Sequence, residues 1–94
     1  MTLTLNDRLK RSGDYPFQKV LEETVIVEPQ ARLLHALNEI GSLLWAQLAR
    51  PQTVRVLIER VTAEYEIDDD TARADVMAFL QEMLKRRLIE YNTY

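Results

Sequence analysis

The sequence predicts a small α+β domain in which three antiparallel strands precede three helices, βββααα. Three observations predict it. Between Tyr15 and Leu37 the apolar residues fall in short strand-like runs, and from Asn38 onward they recur at helical spacing. The joints between the first three runs are too short for anything but hairpins, which forces an antiparallel meander. At 94 residues the chain has room for one core, since a domain usually takes about 100–200 residues.

Residues 1–14 carry scattered charges and end in the turn-like Ser12-Gly13-Asp14, so they read as a flexible N-terminal arm. The domain proper is then 15–94. The first strand is expected over 17–21, behind Pro16, and Glu22-Glu23 separates it from Thr24-Val25-Ile26-Val27. That second run is β-branched throughout and suits a pleated surface. Glu28-Pro29-Gln30 reads as a turn, because Pro29 has no donor for a ladder. The third strand is expected over 31–37.

Asn38 is a good N-cap for a first helix whose apolar residues are Ile40, Leu43, Leu44, Trp45 and Leu48. Pro51 cannot continue that helix. Thr53 caps a second, with Val54, Leu57, Ile58, Val61 and Tyr65 on one stripe. Asp68-Asp69-Asp70 opens a third, whose stripe Val76, Phe79, Leu80, Met83 and Leu84 continues toward Leu88. Acids at its start and Lys85-Arg86-Arg87 at its end both suit the helix dipole. No internal repeat is present. Trp45, Tyr65, Phe79 and Met83 fall on these stripes and read as core.

Composition narrows the function. An apolar fraction of 47% with 29% charged residues is that of an ordinary globular protein, not a disordered one. The net charge of −3 argues against a protein built to hold a phosphate backbone. With no cysteine, disulfides, thiolate metal sites and thiol nucleophiles are excluded. The N-terminus lacks the apolar stretch of a signal peptide, and no run approaches the ~20 residues of a membrane span. A cytoplasmic protein without a membrane partner is expected.

No catalytic constellation emerges. His35 has no second histidine and no carboxylate at fixed spacing, so it makes neither a metal site nor a base, and it reads as structural. The run Asp68-Asp69-Asp70 fails as a calcium loop. Arg73 stands where glycine is required and Phe79 where a bidentate glutamate is required. Two glycines, Gly13 and Gly41, build no phosphate-cradling loop, and Ser12 and Ser42 sit in no nucleophile elbow. We expect no enzyme, no metal and no cofactor.

Three helices behind a small sheet also suggest a winged helix, and a DNA-binding regulator is the alternative reading. Its third helix would be the recognition helix, yet that helix leads with three aspartates toward phosphates. The better lead is a strand edge. Leu33-Leu34-His35-Ala36-Leu37 carries neither proline nor lysine to blunt it, so as an edge it would accept an extended peptide. Equally, residues 1–14 or a second copy of the chain would cover it, the latter giving a homodimer.

The ordered set of segments resembles one family. Leu37-Asn38-Glu39-Ile40-Gly41-Ser42-Leu43-Leu44-Trp45 resembles the opening of the first helix in the PqqD family, the pyrroloquinoline quinone biosynthesis protein D group. Thr53 followed by Val54, Leu57 and Ile58 is similar to its second helix. Asp75-Val76, Phe79-Leu80, Leu84 and Leu88-Ile89 are similar to its third, and Glu28-Pro29 to its turn before the third strand. The likeness covers about 17–90. This chain departs from the pattern at Ala49-Arg50-Pro51-Gln52, where an aspartate-glycine turn is common, and at Arg87, where glycine is common.

The resemblance implies a winged-helix-like peptide chaperone, or RiPP recognition element, which binds the leader of a ribosomally made precursor peptide. Such a module presents the peptide to a modifying enzyme, for instance a radical S-adenosylmethionine protein. Related domains serve lasso-peptide and other peptide-modifying systems. It implies that the leader adds beside the third strand, at Leu33, Leu34, His35, Ala36 and Leu37. The reading side chains on the third helix would be Asp75, Phe79, Glu82, Met83 and Arg86. A second surface for the enzyme would draw on residues 1–14, Gln47, Arg55 and Glu59.

Overall fold

A computed structural model of the protein describes residues 2–28 and 31–93. The expected meander is present as β2 (Phe17–Val20), β3 (Glu23–Glu28) and β4 (Leu33–Leu37), antiparallel in the order β2-β3-β4; the strand of Arg8–Arg11, β1, precedes them. Phe17 faces Ile26 across β2 and β3, and Ile26 faces His35 across β3 and β4. The first hairpin turns at Leu21-Glu22, one residue earlier than the sequence suggested, and Leu21 takes a left-handed φ of 58° there. The turn expected at residues 28–30 falls partly on Pro29 and Gln30, which lie outside the described residues.

Helices α1 (Glu39–Gln47), α2 (Val54–Glu64) and α3 (Asp69–Lys85) start where their caps were read; β5 (Gln52–Thr53) lies between the first two and β6 (Ile89–Tyr91) follows the third. Asn38 Oδ1 accepts the Gly41 N–H at 2.8 Å, Thr53 Oγ1 that of Val56 at 3.2 Å, and Asp68 Oδ1 that of Thr71 at 2.7 Å. Each side chain thus satisfies one of the donors that a helix start leaves unpaired. The Thr71 bonds also lower the Asp68 pKa.

Helix α3 stops at Lys85 and does not run to Leu88. Arg87 adopts a left-handed φ of 61°, and the N–H of Leu88 donates to Met83 O at 3.0 Å. This closing turn normally carries glycine, which lacks the Cβ that makes left-handed backbone costly. With arginine in that place, no glycine marks the stop.

The flexible arm is corrected by the structure. Strand β1 is the centre of a second antiparallel sheet, β5-β1-β6, pairing Leu9 with Gln52 on one side and with Tyr91 on the other. Leu9 is fully buried and Leu3 nearly so. Residue 14 is therefore no domain boundary. The partners of β1 lie some 40 and 80 residues further along the chain, so no local pattern announces this strand.

Leu9, Ile26, Leu44, Trp45, Leu57, Val61, Val76, Leu80 and Leu88 form one core between the sheets and the helices. Arg11 ties its parts together. Its guanidinium donates from Nε and Nη2 to Trp45 O at 3.0 and 2.6 Å, and stacks 4.4 Å from the Trp45 ring and 4.9 Å from Phe17. Burial lowers its pKa, opposed by the nearby Asp14. The cation–π contacts and the carbonyl offset that desolvation.

Candidate functional site: an open strand edge over a helix-lined groove

Among the described residues, strand β4 has a partner on one side only, β3. Which of its main-chain groups are free follows from the ladder. Val27 donates its N–H to Pro16 O at 2.7 Å, so the polar groups of Val27 face the β2 side. Successive residues of a strand direct their N–H and C=O to opposite sides, so Ile26 serves His35, while Leu34, opposite Val27, and Ala36, opposite Val25, face outward. The free edge is therefore the N–H and C=O pairs of Leu34 and Ala36.

The side chains alternate the other way. Leu33, His35 and Leu37 share the face of Ile26 and Thr24, toward the core, and exposure along β4 falls from Leu33 to the buried Leu37. Leu34 stands out on the opposite face, 70% exposed. Beside this edge lies a groove of about 350 Å³ lined by all five β4 residues and by Phe79, Glu82, Met83 and Arg86. These four recur at helical spacing, so one face of α3 forms the opposite wall. Met83 is buried at its floor, Phe79 is half-buried, and Glu82 and Arg86 pair at 2.7 Å on the rim.

Every expected site position except Asp75 thus lines one groove. Asp75 lies one turn further along α3, in the next hollow, with Asn38, Ile40, Gly41, Ala78 and Phe79. Lengths explain the offset. Four steps of β4 cover about 14 Å, whereas Asp75 to Arg86 covers about 16 Å of helix axis. Asp75 shares the face but overshoots the strand.

Glu28 was missed by the sequence reading. Its Oε1 sits 3.4 Å from His35 Nε2, on the diagonal across β3 and β4, with both side chains mostly buried. Among the described residues Nε2 has no hydrogen-bond partner, so the contact is one of proximity between a ring nitrogen and a carboxylate. The register would have revealed it, since Glu28 lies two residues beyond Ile26 on the same face. Among the described residues no group of histidine, cysteine and carboxylate side chains could hold a metal, and no helix is long and apolar enough to cross a membrane.

A winged sheet with an edge strand open over a helix-lined groove places the chain in the class of small α+β domains built on a winged-helix-like frame. The chain belongs to the family described as Coenzyme PQQ synthesis protein D (PqqD), whose profile matches residues 23–89. Among solved structures it is similar to TbiB1, held there in complex with the TbiA(beta) leader peptide. The TM-score is 0.77, with 24% identity over 90% of this chain and 99% of that one. A search of curated proteins finds no significant match.

Proposed function

We propose that this protein is a non-catalytic peptide chaperone that binds the leader of a ribosomally made precursor peptide and presents it to a modifying enzyme. The observation that carries this reading is the open edge of β4 above the groove of α3. The leader adds as a strand on Leu34 and Ala36, and its inward side chains settle among Leu33, Leu37, Phe79 and Met83. Family membership and the fold shared with the leader-bound TbiB1 support it. The enzyme partner, such as a radical S-adenosylmethionine protein, would use a different face. Arg55 and Glu59 beside Leu5 are candidates for it.

Titration of isotope-labelled protein with the leader of the precursor encoded nearby tests this. Amide shifts concentrated in 31–37 and 73–87 are expected, with an affinity near micromolar, about −8 kcal/mol. Shifts confined to other surfaces refute the mode. Duplex DNA should not compete, because Asp68, Asp69 and Asp70 stand at the end of α3 that a recognition helix would present. Tight DNA binding that falls steeply with salt would instead favour the regulator reading.

A further inference from the structure

We propose that the end of the groove beside Arg87 selects peptides with an acidic residue just C-terminal to the segment paired with β4. This inference rests on the leader-binding reading and specifies what the leader must carry.

The geometry begins with direction. A strand added antiparallel to β4, the sense already used throughout this sheet, runs from the Leu37 end toward the Leu33 end. Its C-terminal continuation leaves the first groove past Arg86 and enters a second hollow of about 590 Å³. Asp14, Tyr15, Pro16, Glu28, Ala31, Arg86 and Arg87 line that hollow.

Charges there are mostly matched already. Arg86 is paired with Glu82, Asp14 acts on Arg11, and Glu28 Oε1 is turned toward His35 Nε2 at 3.4 Å. No salt bridge engages Arg87, or Arg32 between Ala31 and Leu33, among the described residues. Arg87, which lines this hollow, is the cation left over there, and Arg32 adjoins it through the chain, between Ala31 and Leu33.

Backbone strain gives an independent reason to assign them a task. Only three described non-glycine residues take a left-handed φ, and two of them are Arg32, at 54°, and Arg87, at 61°. Such positions ordinarily go to glycine or asparagine. The neighbours hold the strained turn in place: the Ser12 and Tyr15 hydroxyls donate to Arg87 O at 2.6 and 3.4 Å, and the Ser12 N–H donates to Leu88 O at 3.0 Å. Strain so firmly braced, at the mouth of a binding groove, is the kind that function retains. A guanidinium there meets a carboxylate with forked donors, which lysine or glycine would not supply.

The test uses fluorescently labelled copies of the neighbouring precursor's leader, scanned one position at a time with Glu, Gln and Lys. At the position following the paired segment, Glu should bind about three- to fivefold tighter than Gln, the upper range for one solvent-facing ion pair, and Lys weakest. In Arg87→Gly the Glu/Gln ratio should fall toward one, while the melting temperature holds or rises because the strain is relieved. A purely structural role for Arg87 would move the melting temperature and leave the ratio alone. If the parent binds all three peptides equally, or Arg87→Gly keeps the ratio, charge selection is wrong and strand addition stands. If no leader variant binds the parent, both readings fall.

Discussion

Gly41 sits in the hollow next to the groove, beside Phe79, and its missing side chain is what lets the Phe79 ring lie there. A Cβ at this position would stand 3.0 Å from Phe79 Cε1 and 3.3 Å from both Asn38 Oδ1 and Leu37 Cβ. Gly41→Ala should therefore push the Phe79 ring toward the groove. Overpacking costs about 1–3 kcal/mol and the better helix former returns about 1. The net stability loss should stay below about 2 kcal/mol by denaturant melts, while leader affinity falls and Phe79 ring resonances shift. Unchanged affinity would show that the Phe79 wall does not read the peptide. The free donors at Leu34 and Ala36 allow a sharper contrast. Leu34→Pro deletes an N–H that faces outward, so the fold should survive and leader binding should be lost. His35→Pro deletes one that bonds β3, and should destabilise the wing itself. Equal melting temperatures for the two variants would overturn the ladder phase derived from Val27.

At the scale of the element, β1 is the instructive case. A loosely attached arm would tolerate truncation, with surface substitutions mostly within about 0.5 kcal/mol. Leu9 is fully buried at the centre of the β5-β1-β6 sheet. Leu9→Ala should cost about 2–5 kcal/mol, as large-to-small changes in a core do, read from the denaturant midpoint. The helices were legible because their signals are local: Asn38, Thr53 and Asp68 each bond an amide three residues on. The second sheet was illegible because its strands are two to four residues long and pair across most of the chain. The end of α3 was illegible for another reason, since Arg87 occupies a turn that glycine usually marks.

For the whole molecule, the open edge raises the question of what occupies it when no peptide is present. Two copies could pair β4 to β4 about a two-fold axis, using the same Leu34 and Ala36 groups as the leader. Peptide and dimer would then compete, and the apparent peptide affinity should weaken as protein concentration rises. Sedimentation with and without saturating leader checks this: the dimer should dissociate as peptide binds. A dimer that persists at saturation uses another face.

The sequence by itself determined what is written in neighbouring residues. Caps and stripes placed three helices, and short apolar runs bounded by turn residues placed three strands. Those signals span at most a few turns, so they survive without tertiary context. Tertiary structure decided the rest. It drew β1 into the core, put Glu28 against His35, moved Asp75 into the next hollow, and set the left-handed Arg87 at one end of the groove. Each of these depends on strand register or on chain segments distant in sequence, where long-range packing outweighs local preference.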